Sequence, residues 1–444
     1  MSRSCAIGWK CGAPVPPFCA HAPARAVVAA RVPRYPRRSG RRPAPRKRTP
    51  MDEPQSVAAL VRARAERLRA VMRRAGVGAV LTSDPINLVY GCGVRNMTVF
   101  SLMGPFRFVL LFADGPTILY EFAGCEHLAE GAPGVDAVRP APGLTPLAGA
   151  DHRAAAASFA AEIAALCRDH GAGADLSVEG FDPPVTDALR ARGLRLGDAT
   201  AVFAEARRIK QQPELDAMRE AVRRVEAAAA DLEAGVAPGA SEVEVWSRFH
   251  RHLIATEGEY VSTRLFQSGP RTFPYFQEAG PRRMEAGDLV CFDTDALGWR
   301  GYAVDFSRTF LCGDAPARPG QRALYARAHE QLAWNAALLG PGVAFEDFAR
   351  AAWPIPPENR GWGYYCLAHG LGLCGEFPYV PHAFPDQPYR FDGAFEPGMV
   401  ICIESYIGAE QAAEGVKLED QFLITETGVE RMTTYPFCER LLGG

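Results

Sequence analysis

Between Cys291 and Thr309 the chain reads CFDTDALGWRGYAVDFSRT, which places Asp293, Asp295 and Asp305 in an otherwise apolar and aromatic run. Carboxylates are rarely found in strand-like surroundings unless something offsets their desolvation. The stretch therefore requires a fold that buries acids and supplies them with a partner. Asp293 and Asp295 stand two apart in a strand-like run, so they are expected on one face of one strand. Asp305 follows a glycine-containing turn and is expected on the next antiparallel strand.

The 444 residues suffice for two or more domains with sizeable cores. A hydrophobic content of 48% and a mean hydropathy of −0.09 fit a globular chain, and no apolar run approaches the ~20 residues of a bilayer span. The net charge of −2 is unevenly spread. Residues 1–50 carry twelve Lys/Arg and no acid, which leaves 37 basic against 51 acidic residues, a net −14, for the remainder. That balance argues against a nucleic-acid partner. The twelve cysteines are scattered with no CxxC pair, which argues against a zinc ribbon or disulfide scaffold. It favours a reducing compartment, and a cytoplasmic location is expected. Cys291 and Cys402 read as small buried hydrophobes.

Residues 1–50 contain nine prolines and many arginines, so a disordered basic extension is expected there. It is read as an upstream extension, with the working chain starting near Met51, in preference to an Arg-rich targeting segment. From Gln55 the pattern VAALVRARAERLRAVMRRAG is apolar at helical spacing and closes on Gly76. VGAVLTS reads as a buried strand, and FRFVLLFADGPTILYEF as a hairpin around Asp-Gly. An alanine-rich helix follows, so residues 51–206 are expected to form an α/β domain. EARRIKQQPELDAMREAVRRVEAAAADLEAG is a charged helical stretch leading into a second domain over 207–444. There, Ser241 and Glu244 have the spacing of a capping box, and strands dominate from Leu265 onward.

Three more residues join the aspartates as candidates: His369 in LAHGLGL, Glu404 in ICIESY and Glu419 in KLEDQF, each in or beside an apolar strand-like run. Carboxylates converging with one imidazole would repel one another unless cations sat between them. Oxygen-rich ligation with a single His suits Mn, Fe or Co, and a pair of ions bridged by carboxylates.

The order Asp, Asp, His in HGLGL, then two Glu resembles the ligand order of the pita-bread metallopeptidases. These include methionine aminopeptidase, Xaa-Pro aminopeptidase, prolidase and creatinase. RRIKQQPELDAMREA is similar to the segment that opens their catalytic domain. The resemblance is specific over 207–444 and weaker over 55–203, which is similar to the creatinase-type N-terminal domain. It implies an α+β fold with a curved antiparallel sheet flanked by helices in a pseudo-twofold arrangement, a homodimer, and metal ligands at Asp295, Asp305, His369, Glu404 and Glu419. FQSGPRTFPYFQEAGPR, the doubled FDTD and the short interval between Glu404 and Glu419 resemble a dimethylsulfoniopropionate lyase branch of that family more closely. Asp295 and Asp305 are ten apart, as in that branch, where the peptidases have eleven. The branch implies six ligands, Asp293 plus the five above, and a dinuclear metal centre with iron favoured and Mn, Co or Zn as alternatives.

Two departures bear on activity. The peptidases carry histidines where this chain has TFPYFQEAG and Gly375 in HGLGLCGEFP, and general acid–base help is worth ~10²–10⁴-fold. The lyase branch places an aspartate, resembling a general base, where Gly375 stands. Glu376 is the nearest substitute, and Tyr364 in WGYYCLAHG corresponds to a tyrosine of the lyase pocket. The implied activity is a metal-dependent elimination on a small carboxylate, giving dimethyl sulfide and acrylate if the substrate is dimethylsulfoniopropionate. The alternative is hydrolysis of a C–N bond, and the third reading is a non-catalytic binding module, a class that generally loses its ligands.

Overall fold

The computed structural model describes residues 54–149, 151–357, 359, 364–383 and 388–443. The Arg- and Pro-rich segment over 1–50 lies outside the described residues. Among the described residues no helix is long and apolar enough to cross a membrane.

The first helix, Pro54–Ala75, buries Leu60, Leu68, Val71 and Met72, an apolar stripe at helical spacing. It ends at Gly76, whose φ of +68° is open to a residue without a side chain. A six-stranded sheet follows, in the spatial order Ala137–Pro140, Thr117–Glu121, Phe108–Phe112, Ala79–Thr82, Asp175–Glu179, Arg195–Asp198. The Asp-Gly hairpin expected at residues 114 and 115 is present, joining the antiparallel strands Phe108–Phe112 and Thr117–Glu121. Helix His152–Asp169 packs Phe159 and Ile163 against Phe108 and Tyr120 of this sheet.

The charged stretch after residue 204 is not one helix. Helix Ala199–Arg207 stops, and Gln212–Glu233 begins with Pro213 in its first turn, where a missing N–H costs nothing. Glu214 reaches back to accept from the Gln211 N–H at 2.8 Å. Helix Glu242–Ala255 carries the expected capping box, with Ser241 and Glu244 each accepting the other's backbone N–H.

The remaining sheets are antiparallel. Five strands lie in the order Gly375–Pro381, Cys366–Leu371, Val400–Ala409, Glu414–Ile424, Val429–Arg431. A three-stranded sheet has Leu289–Asp293 between Phe266–Ser268 and Ser307–Leu311, and another has Ala296–Leu297 between Tyr260–Val261 and Ala303–Val304. Helix Pro319–Ala337 buries Leu324, Ala328 and Leu332 with Ile403, Ile407 and Leu418 of the five-stranded sheet. One apolar cluster runs from Leu68, Met72 and Phe203 through Met218 and Val222 to Phe292 and Phe306, so the two sheet systems share a core. Each fully buried side chain of this size contributes about 1.5–3 kcal/mol. The site at the junction of the antiparallel sheets is therefore held on a rigid frame.

Candidate metal centre

The doubled aspartate sits at a break in the antiparallel ladder. Leu289–Asp293 pairs with Ser307–Leu311, Asp293 lying opposite Ser307. Beyond the break, Ala296–Leu297 pairs with Ala303–Val304 in the other three-stranded sheet. The Thr294 hydroxyl replaces the interrupted ladder bonds: it donates to the Val304 carbonyl at 2.9 Å and accepts from the Phe306 N–H at 3.0 Å. Asp295 takes a φ of +35°, an uncommon conformation for a residue with a side chain. Asp293 and Asp295 therefore do not share one face of a single strand, because the strand ends between them. Asp305 lies on the antiparallel return, as expected, but in the matching gap between Ala303–Val304 and Ser307–Leu311.

The five-stranded sheet supplies the rest. His369 is on Cys366–Leu371, while Glu404 on Val400–Ala409 and Glu419 on Glu414–Ile424 face each other directly across the ladder. The Nε2 of His369 lies 3.7 Å from Asp305 Oδ2, 3.3 Å from Glu404 Oε1 and 3.6 Å from Glu419 Oε1. Asp293, Asp305, His369, Glu404 and Glu419 are buried and Asp295 is half-buried. The structure thus brings all six sequence-derived candidates into one region.

Lys417 was not singled out from the sequence. Its ammonium is fully buried among the acids, 2.7 Å from Glu419 Oε2 and 3.5 Å from Asp293 Oδ2; it also donates to Glu404 and, at 2.8 Å, to Ser307 Oγ. The signal was present: two residues before Glu419 on a strand, Lys417 must share its face. Tyr275 donates to Asp293, and Thr263 donates to Asp295 Oδ2 at 2.6 Å. Tyr364 lies at this cluster, with the Lys417 Nζ 5.4 Å from its ring.

Charge imbalance shows in the titration of these groups. Burial, then Glu419 and Asp295, push the Asp305 carboxyl well above its ordinary range, and burial and Glu404 raise Glu419. Burial and the Asp293 charge push Asp295 up to about 6. Burial also opposes the charge on Asp293, but Lys417 and the Tyr275 hydroxyl outweigh it and hold that carboxyl low. Burial disfavours the cations too, yet the surrounding acids raise both His369 and Lys417 well above their usual values.

Three buried carboxylate oxygens, Asp293 Oδ1, Asp305 Oδ1 and Glu419 Oε1, have no hydrogen-bond partner. Such atoms cost ~1–3 kcal/mol each, more when charged, unless something meets them. One imidazole and unpartnered carboxylate oxygens are the donor set that hard or borderline divalent cations prefer. Ligand atoms of Asp305, His369, Cys402 and Glu419 lie within 4.8 Å of one another, so the residues fit a metal ion. Cys402 joins this group although it reads as a small hydrophobe. Its thiol donates to the Asp305 carbonyl at 3.8 Å, and burial and Glu419 push it well above its ordinary range.

Neighbouring side chains fix the ligands. Arg308, fully buried, donates to the Glu419 carbonyl at 2.7 Å and to Asp420 Oδ1 at 2.8 Å, tying strand Ser307–Leu311, which follows Asp305, to the Glu419 strand. Thr309 adds a pair of bonds to the Lys417 backbone.

Glu376 is elsewhere. It is buried on strand Gly375–Pro381, whose alternating burial turns residues 375, 377 and 379 out and 376 in. Its oxygens meet Arg207 Nε at 3.1 Å and Lys210 Nζ at 2.8 Å, and Arg207 also donates to Asn87 Oδ1 at 2.8 Å. Burial works against its charge, but Lys210 and Arg207 hold its carboxyl below the ordinary range. This is an ion-paired brace to the N-terminal part of the chain, and the geometry gives Glu376 no place at the acid cluster.

A buried acid and imidazole cluster across antiparallel strands defines a metalloenzyme class, and comparison with known proteins identifies it. Residues 216–426 match metallopeptidase family M24. The chain belongs to that family and is a metal-dependent enzyme with its pita-bread α+β fold. It is similar to the dimethylsulfoniopropionate lyase DddP of Roseovarius nubinhibens, 37% identical over 377 residues covering 82% of this chain and 84% of that protein. The same lyase from Roseobacter denitrificans is 35% identical over 398 residues, 87% of this chain and 88% of its own. Among solved structures, the prolidase of Pyrococcus horikoshii has a TM-score of 0.66 at 22% identity, covering 84% of this chain and 99% of that one. That likeness shows the fold.

Proposed function

We propose that this protein is a metal-dependent lyase that converts dimethylsulfoniopropionate, or a close relative of it, into dimethyl sulfide and acrylate. The observation that carries the reading is the filled set Asp293, Asp295, Asp305, His369, Glu404 and Glu419 in a chain 37% identical to such a lyase. These six residues would hold the metal, two ions with iron favoured. When bound, the metal supplies positive charge that receives the substrate carboxylate and acidifies the neighbouring C–H. In the elimination, the proton on the carbon next to the carboxylate passes to a solvent water molecule, because Glu376 is tied to Arg207 and Lys210. The C–H bonding pair forms the C=C bond of acrylate, and the Cβ–S pair departs on sulfur as dimethyl sulfide. Lys417 and Thr263 hold carboxylates in place. A homodimer in the cytoplasm belongs to the same reading.

The hydrolase reading is weaker, since TFPYFQEAG and Gly375 stand where the peptidases carry histidines and the prolidase likeness is one of fold. Headspace measurement of dimethyl sulfide from the metal-replete full chain, beside a panel of X-Pro dipeptides, tests the choice. Release of dimethyl sulfide is expected, and cleavage of a dipeptide alone would overturn the proposal. Light scattering of the purified chain should give twice the monomer mass.

A further inference from the structure

Gly375 leaves a space, and the structure shows what fills it. A Cβ at position 375 would lie 2.6 Å from the Tyr379 hydroxyl oxygen, closer than van der Waals contact permits. Tyr379 can reach there only because residue 375 has no side chain. Tyr379 pairs with His369 across adjacent strands, and the two rings stack with centroids 5.2 Å apart and planes at 17°. The phenol therefore stands on the His369 face of the sheet, the face that carries the acid cluster. The residue is 45% exposed, and its hydroxyl makes no hydrogen bond to another of the described residues. Gly375 and Tyr379 line a cavity of about 380 Å³ together with Asn87, Arg207 and Cys374 and the acids Asp84, Glu179 and Glu376. A phenol is an O–H donor at neutral pH. Set between an open cavity and His369, a half-exposed donor without a partner is arranged to meet a ligand.

We infer that Tyr379 is a substrate-contacting residue, its hydroxyl donating a hydrogen bond to a carboxylate oxygen of the substrate, and that Gly375 is the permissive residue that lets it do so. The inference rests on reading the centre as a site for a small carboxylate. It deepens that reading by naming a group that neither the ligand order nor the missing acid at 375 reveals.

The test is calorimetric titration of acrylate into metal-replete full-length protein, with metal content measured on every sample. Tyr379→Phe keeps the ring on His369 and removes only the hydroxyl; it should weaken acrylate binding about tenfold with metal content unchanged, the effect of one hydrogen bond to a charged acceptor. Gly375→Ala puts a methyl 2.6 Å from the present place of the hydroxyl oxygen and should cause a similar loss by displacing the phenol. The double variant should bind no worse than the weaker single one, because both remove the same contact. Acrylate affinity of Tyr379→Phe within about twofold of the unmodified protein, or losses that multiply in the double variant, would overturn the inference. So would an unmodified protein that binds no acrylate. Acrylate binding that depends on Tyr379 without dimethyl sulfide release would support this contact while removing the lyase reading.

Discussion

Two of the buried clusters of charge in the molecule are built on opposite terms. Around Glu376, one carboxylate faces two cations, Arg207 and Lys210, and both of its oxygens are met. Around Lys417, five carboxylates share one ammonium and one imidazole, and three of their oxygens have no hydrogen-bond partner. Burying ions is costly in either case, and only matched charge and full hydrogen bonding offset it. The first cluster is complete as it stands and its work is structural, joining strand Gly375–Pro381 to residues 207–210. The second is complete only when further positive charge enters. Burial and acidity alone do not distinguish a brace from a metal centre; the balance of charge does.

This contrast can be broken by substitution. Asp305→Ala should have the largest effect, abolishing stoichiometric metal and lyase turnover while circular dichroism stays close to that of the unmodified chain. Its loss of metal affinity should exceed the ~10–100-fold that removal of an outer hydrogen-bond partner costs a metal site. Glu376→Gln should do the reverse. It leaves Arg207 and Lys210 buried without their partner charge and should cost about 3–5 kcal/mol in chemical denaturation, with metal content unchanged. Lys417→Met should sharpen the comparison: without its ammonium, the acid cluster depends more on metal, so added Mn should raise the Tm by more than in the unmodified protein.

The smallest effect is in pH dependence. The Glu376 carboxyl is held below its ordinary 4.5, so its contribution is fully present above that pH and is lost as pH falls through the depressed value. Stability should therefore fall in that acid window by up to about 1.4 kcal/mol per pH unit from this group, and Glu376→Gln should lack this component. Denaturation curves of the two proteins at matched pH values check it.

Much of this organisation is legible in the sequence because it depends on chain periodicity and local chemistry. The Asp-Gly hairpin, the Ser241–Glu244 cap and the order of the acids are of that kind. Other features depend on which partners arrive from far along the chain. Thr294, between two aspartates, reads as strand, and only the facing backbone at Val304 and Phe306 makes its hydroxyl the pin of a ladder break. Lys417 reads as a spacer in KLED, although period-two alternation puts it beside Glu419. Glu376 reads as a substitute for the absent acid because it is adjacent to Gly375. Adjacency on a strand, however, sends neighbours to opposite faces, and Arg207 and Lys210, over 160 positions earlier, claim it. Tyr379 occupies the space at Gly375 by reach, which spacing rules do not register.

The most direct test of the charge-balance account is metal analysis of the full chain beside Asp305→Ala and Glu376→Gln, after equal loading with Fe, Mn, Co or Zn and desalting. The account predicts stoichiometric divalent metal in the unmodified protein and in Glu376→Gln, and none in Asp305→Ala. An unmodified chain that takes up no metal, or an Asp305→Ala chain that retains it in full, would contradict it.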